Sequence, residues 1–386
     1  MTSAFSWLRP NPVDSRPDAA PATATARLPG PDVTRAIALI GVVVMNYHGY
    51  LNGAGAAARR DASFAQALFD PWSGVLSTRF AATFVLVAGV GVTLLTNRSR
   101  LSGDRAAISA DRWRLVRRGV VLYAVGFVLN WIWSGTIIFF YGAFFVVAAM
   151  IFTLRSRWIV PIGVVSALVA AALAWWRADR AVDGGDTDWL FRPDTLGARS
   201  PRGLLFDTFV NGTHPLFPWL AFLCLGIVVG RLLPAFPRLR LIVAGVVMTA
   251  GTYLLGHVLR SGSDDSVTDV VFSTRSTDRG LMYTIGTAGT ALVAFCVISW
   301  IAERFRDRMA TKVLLAAGRT TLSLYLLHVF VFRLLVDVGG LVEPTGLDTS
   351  LTFALLFWLF AIVVATAWTE TIGLGPAERL YRRFSG

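Results

Sequence analysis

A chain of 386 residues with 55% apolar residues, 16% charged residues and a mean hydropathy of +0.59 is too apolar for a soluble domain, in which roughly half is apolar and about a quarter charged. A net charge of +12 would suit a nucleic-acid partner in a soluble protein, but here the arginines gather in short connections between long apolar runs, the positive-inside pattern of a membrane protein. The two cysteines, Cys224 and Cys296, both lie inside apolar runs, which excludes a disulfide framework and a cysteine metal site.

Residues 1–31 are rich in Pro and Ala and carry no apolar core of signal-peptide length. They are expected to form a disordered cytoplasmic tail ahead of a single transmembrane domain, 32–386. About 20 apolar residues in a helix cross the ~30 Å of bilayer hydrocarbon. Ten such segments follow in chain order: 34–52, 72–95, 116–134, 136–154, 158–176, 214–233, 240–259, 281–301, 313–337 and 350–371. The fold this predicts is all-α, a polytopic membrane helix bundle with about ten transmembrane helices. Every even-numbered span exits into a basic stretch, from "NRSRLSGDRAAISADRWRLVRR" through "RSR", "RLLPAFPRLR" and "ERFRDRMATK" to "ERLYRRFSG". The connections at 177–203 and 260–280 mix both signs, and 338–349 is net acidic. One alternating assignment satisfies all of them, with both termini cytoplasmic.

Against this apolar background the polar residues stand out. The first span, "RAIALIGVVVMNYHGY", opens on Arg35 and closes on Asn46 and His48, where helix is expected to give way to glycine-rich chain. Eleven residues separate Arg35 from Asn46, which places them within roughly 60° of one helix face; this face is expected to line a cavity. His214 follows Asp207 and Asn211 ahead of a proline-marked helix start, and His257 and His328 complete the histidines. By the alternating topology all four sit toward the outer side, as do Arg79 and Arg333. Ionisable groups inside spans face a cavity or a partner and mark sites. Each also has a structural reading: His257 can reach interfacial water, and His328 can make one interhelical hydrogen bond. Gly226 and Gly230 form a G-x-x-x-G, and Gly89 and Gly91 lie close together, both read as close helix packing. H-E-x-x-H, a nucleophile elbow and a P-loop are all missing, so no metal is expected. The remaining chemistry is histidine, arginine and asparagine, suited to proton transfer and anion binding.

"DVTRAIALIGVVVMN", with Asp32, Arg35, Gly41 and Asn46, resembles the first-helix signature of the YeiB-like bacterial membrane proteins, a domain of unknown function. "HPLFPWLAFLCLGIVVGR", "AAGRTTLSLYLLHVF" with Gly318, Arg319, Ser323 and Tyr325, and "GLGPAERLYRR" with Gly375, Pro376 and Glu378 resemble further motifs of that family. The resemblance runs from about 32 to 383. Through that family it extends to a transmembrane acyltransferase superfamily that includes heparan-α-glucosaminide N-acetyltransferase and bacterial sugar O-acyltransferases. The O-acyltransferases carry a histidine eleven residues after the first-helix arginine, where this chain has Asn46, with His48 two residues on.

The resemblance implies a multi-pass protein of the bacterial inner membrane that moves an acyl group from cytosolic acyl-CoA, such as acetyl-CoA, to an outward sugar, glycan or glycolipid. On this reading His48 and then His214 are the candidates for base or acyl carrier. Arg35, Asn46, Arg79, Arg319 and His328 are the candidate substrate-binding residues, and Arg112, Arg114, Arg117 and Arg118 are further arginines for the CoA phosphates. Its partners would be membrane lipid, acyl-CoA and the acceptor, with a homo-oligomer open and no nucleic acid. The alternative is a transporter or flippase for a small solute or lipid-linked sugar, since Arg79 and Arg333 also fit an anion path.

Overall fold

The computed structural model describes residues 28–51, 63–133, 136–187, 201–261, 266–343 and 345–386. Every regular element among the described residues is helical. The order is α1 Pro29–Leu51, α2 Phe64–Phe69, α3 Arg79–Ser102, α4 Arg105–Ile132, α5 Ile138–Ile151 and α6 Ser156–Val182. Next come α7 Pro201–Phe206 with a π turn at Asp207–Asn211, α8 Leu216–Leu232, α9 Arg238–Ser261, α10 Ser266–Val271 and α11 Leu281–Arg304. The last four are α12 Met309–Arg319, α13 Thr321–Phe332, α14 Leu347–Thr371 and α15 Pro376–Ser385. Of the expected tail, residues 1–27 lie outside the described residues, and helix begins at Pro29.

Among the described residues, eight helical segments are long and apolar enough to cross a membrane. Two expected spans fall outside that set for different reasons. α1 has the length, but Arg35, Asn46 and His48 dilute its apolar run. α5 is apolar but has only 14 residues, about 21 Å of helix. With these two, each of the ten expected segments is helical.

The boundaries differ where side chains override apolarity. Helix in the second segment starts at Arg79, not 72. Asp70 Oδ1 accepts from the backbone N–H groups of Trp72 (2.8 Å) and Ser73 (2.6 Å), which folds the chain into turns ahead of the helix. The third segment starts earlier than expected, because the basic stretch after Gly103 is itself helical. Gly103 closes α3 in the left-handed region, and Asp104 caps α4 by accepting from Ala106 N–H (2.9 Å). The expected ninth span, 313–337, is two helices that break at Thr320 (φ −116°, ψ 24°). α1 continues past His48 to Leu51, so the expected break after the histidine is absent.

Contacts between helix ends sort the connections. Arg231 donates to the carbonyls of Phe152 and Leu154, both at 2.8 Å. Arg238 pairs with Glu303 (2.6 Å), and Arg112 donates to Ala149 O (3.1 Å). At the other ends Ser77 meets Ser276 (2.9 Å), Thr78 meets Tyr283 (2.8 Å), and Arg279 donates to Gly212 O (2.6 Å). The basic connections therefore gather at one end of the bundle and the mixed ones at the other. Taking the basic end as cytoplasmic, a reporter fused after Gly386 is expected to read cytoplasmic and one inserted at Gly184 external. An external reading from the first overturns this orientation.

Backbone-close packing holds the centre. A Cβ built on Gly226 would overlap the Leu86 carbonyl oxygen and lie 2.8 Å from its carbonyl carbon; one on Gly89 would lie 2.8 Å from Ile227 N. α3 and α8 thus touch main chain to main chain, the arrangement small residues permit. Of the described residues between α4 and α5, Trp133, Thr136 and Ile137 are buried. Irregular backbone at such depth needs internal partners, and Ile137 N–H finds one in the Tyr325 hydroxyl (3.1 Å).

Candidate ligand cavity

Three of the sequence motifs meet at the basic end. Asp32 and Arg35 stand in the first two turns of α1, and Arg35 Nη1 reaches Asp32 Oδ1 at 3.1 Å and the Gly318 carbonyl at 3.5 Å. Gly318 is there because the helices leave no room for a side chain: a Cβ would overlap the Asp32 carbonyl oxygen. Glu378, in the first turn of α15, accepts from the N–H groups of Leu322 (2.6 Å) and Ser323 (3.1 Å) through Oε1, and from the Ser323 hydroxyl through Oε2. It is a cap donated in trans to the N-terminus of α13, where free N–H groups and the helix dipole both favour an anion.

Around this junction lies a cavity of about 750 Å³, within the range of small-molecule sites. Four arginines line it, Arg35, Arg118, Arg319 and Arg382, against two carboxylates, Asp32 and Glu378. Arg319 and Arg382 are exposed, whereas Arg35 and Arg118 are half-buried. Arg118 lies over the Tyr381 ring, 5.9 Å from its centroid. Burial raises the Tyr381 phenol well above its ordinary range, opposed in part by the Arg118 cation, so it stays a protonated donor at neutral pH. The remaining wall is apolar, with Phe84, Ala88, Leu122, Ile138 and Phe145. Leu95 and Phe84 both line it from α3, and eleven residues of helix set about 16 Å between them. At the Phe84 end stand Tyr141, whose ring lies 5.5 Å from Phe84 edge to face, and Tyr325. The cavity is cationic at its mouth and apolar inside, with phenols at depth. That pattern fits an amphipathic anion.

The expected site residues fall into separate groups. Arg35 and Arg319 line the cavity, and Arg118 joins them. Asn46 and His328 are brought together, Nδ2 to Nε2 at 3.3 Å, but neither lines the cavity. A carbonyl only accepts, so the bond between His328 Nδ1 and Tyr325 O puts the proton on Nδ1 and leaves Nε2 to accept from Asn46. His328 is wholly buried with both nitrogens engaged, as its structural reading expects. His48 donates from Nδ1 to Phe69 O (2.6 Å) at the opposite end of α1 from Arg35. His214 bonds Thr213 (2.8 Å) and lies edge-on to Trp219 (4.4 Å). Arg79 donates to Tyr253 (3.1 Å) and faces the Tyr283 ring. The last three are at the mixed end, away from the cavity. Arg333 is exposed and pairs with Asp337 (2.6 Å) rather than lying buried in an anion path. His257 is exposed near the end of α9. Arg112 and Arg114 are engaged by Ala149 O and Asp111 (2.7 Å). Among the described residues no group of three or more His, Cys, Asp or Glu is placed to hold a metal.

Sequence reasoning missed Tyr141, Tyr381 and Arg382. Spacing held a signal for the last two: they follow Glu378 by three and four residues, on one face of a helix. Tyr141 sits in "IFFYGAFF" with nothing local to distinguish it. The model of a family described as a protein of unknown function (DUF418) matches residues 232–386. That stretch holds Arg319, Tyr325 and Glu378 but not Arg35 or Tyr141. No curated protein matches the chain.

Proposed function

We propose that the protein is an integral membrane acyltransferase, taking an acyl group such as acetyl from cytosolic acyl-CoA and passing it to a sugar, glycan or glycolipid acceptor on the far side of a bacterial inner membrane. The observation that carries this reading is the cavity at the basic end, with arginines at the mouth and an apolar interior. Guanidinium groups bind phosphate through paired hydrogen bonds, and the apolar interior takes the pantetheine arm and acyl group. His48 is the first choice and His214 the second for the group that takes the acceptor proton or carries the acyl chain, because both stand at the end opposite the cavity mouth. Asn46 and His328 would support the wall between.

Acetyl-CoA is expected to raise the unfolding temperature of the purified protein, and labelled acetyl groups to reach an acceptor or water. Arg319 is exposed and engaged in no ion pair among the described residues, so Arg319→Ala should fold normally yet bind acetyl-CoA about tenfold more weakly, the scale of one charge-assisted hydrogen bond. Arg35→Ala should lose more affinity and some stability as well, because Asp32 loses that partner. Unchanged affinity in both variants overturns the reading.

A second reading has one observation in its favour. Interrupted helices at membrane depth are characteristic of transporters, and the break at Thr320 adjoins Arg35 through Gly318. Against an anion site at the half-helix itself, Glu378 already occupies the α13 N-terminus. Uptake of labelled lipid-linked sugar into proteoliposomes without acetyl turnover would favour the transporter.

A further inference from the structure

The polar groups lining the cavity leave a particular set of hydrogen bonds unmade. Arg118 Nε, Tyr141 Oη and Tyr381 Oη are buried and have no hydrogen-bond partner among the described residues. Each is a donor. Buried donors without partners are uncommon and costly, and here three of them line one cavity. They call for a ligand rich in acceptor oxygens.

They also fall at two levels. Arg118 and Tyr381 are stacked on one another near the mouth. Tyr141 lies at the Phe84 end, in electrostatic reach of Arg35 and Tyr325. The cavity runs about 16 Å along α3 between Leu95 and Phe84, and both levels line it. A CoA thioester has the same layout: phosphates at one end, an extended pantetheine arm, then a single carbonyl oxygen. Tyr141 is 7% exposed, and its ring is fixed edge to face against Phe84 (5.5 Å) and Phe144 (5.8 Å). A rigid, dry phenol donor is suited to one acceptor in a fixed position.

Resting on the acyl-CoA reading above, we infer that the Tyr141 hydroxyl binds the acyl carbonyl oxygen of the donor thioester and fixes the acyl group at the inner end of the cavity. The mouth arginines then hold the phosphates and do not sense the acyl group. The deep station is what distinguishes acyl-CoA from free CoA.

The test compares three probes, CoA, acetyl-CoA and S-ethyl-CoA, on purified wild type and Tyr141→Phe, by ligand-induced thermal stabilisation and by calorimetry. S-ethyl-CoA fills the same space but has no carbonyl. Wild type is expected to bind acetyl-CoA about five- to tenfold more tightly than S-ethyl-CoA, the worth of one buried hydrogen bond. Tyr141→Phe is expected to lose that preference while keeping its affinity for CoA. Because the hydroxyl has no partner among the described residues, its removal should leave the ligand-free unfolding temperature unchanged or higher, which a purely structural hydroxyl would not do. A variant that keeps the carbonyl preference overturns the assignment. So does a wild type that binds acetyl-CoA and S-ethyl-CoA equally, a result that needs no variant to fold and leaves the phosphate reading standing. A wild type that binds none of the three overturns the acyl-CoA reading itself, and this inference with it.

Discussion

Gly226→Val is expected to yield no folded protein. The reason is main-chain contact: α8 at Gly226 and α3 at Leu86 approach so closely that even one Cβ would overlap the Leu86 carbonyl oxygen. Gly89 makes the reciprocal approach to Leu223 and Ile227, and Gly230 to Thr93, whose Cβ would lie 2.8 Å away. A carbonyl in a helix cannot rotate aside as a side-chain tip can. The helices would have to separate along their whole contact, which also disturbs the buried cluster of Leu86, Val87, Val90 and Phe295. Overpacking usually costs about 1–3 kcal/mol, and a rigid main-chain contact falls at or above the top of that range, a large fraction of total stability. Gly251→Ala is the control. A Cβ there meets nothing within 4 Å, so only helix propensity changes, and the variant should gain up to about 1 kcal/mol. Monodisperse yield and unfolding temperature in detergent read both. Wild-type behaviour of Gly226→Val would show that the α3–α8 contact is looser than described.

Glu378→Ala is expected to destabilise by about 2–4 kcal/mol. One carboxylate satisfies two backbone N–H groups and a hydroxyl at the α13 N-terminus. Hydrogen bonds to a charged group contribute about 1.5–3 kcal/mol each and are not additive, and the helix end adds its own attraction for the anion. The same change frees α15 from the mouth of the cavity, where Tyr381 and Arg382 stand. Acetyl-CoA affinity should therefore fall together with stability. Glu378→Gln keeps one carbonyl acceptor, so it should lose about half as much. If Glu378→Ala melts within a degree of wild type, the α13 N-terminus is satisfied some other way.

What the sequence made legible depends on range. Apolar runs announce helices because the hydrocarbon demands them, and the alternation of basic and mixed connections is consistent with the end-to-end contacts. Arg35 was legible as a candidate because a cation beside an apolar run needs a reason, and Arg319 through the motif that carries the resemblance; both line the cavity. The break at Thr320 was not, since the carboxylate that caps the second helix, Glu378, comes from a distant part of the chain, and "AAGRTTLSLYLLHVF" alone reads as an unbroken helix. Helix α4 begins before its apolar run because its first turns, "RAAISADRWRLVRR", are basic, and apolarity does not mark a helix there. Asn46 and Arg35 share a helix face, yet only Arg35 reaches the cavity, because His328 fills the space beside Asn46. Tyr141 gave no local sign: its role depends on what α1, α3 and α13 bring around it.

The bonds that join α1 to α13 and α12 span 281 to 283 residues, from Tyr47 to His328 O and Asn46 to the His328 ring in α13, and from Arg35 to Gly318 O in α12. Read in the order of synthesis, this separation sets a schedule. The least apolar of the ten segments is the first to be made, and its Asn46 and Tyr47 wait for their partners until nearly all the others have followed. A chain halted before His328 leaves Asn46 and Tyr47 without those acceptors, however well the intervening helices have packed. Translation past that point, rather than the insertion of any one apolar helix, is the event that commits the first helix to its place.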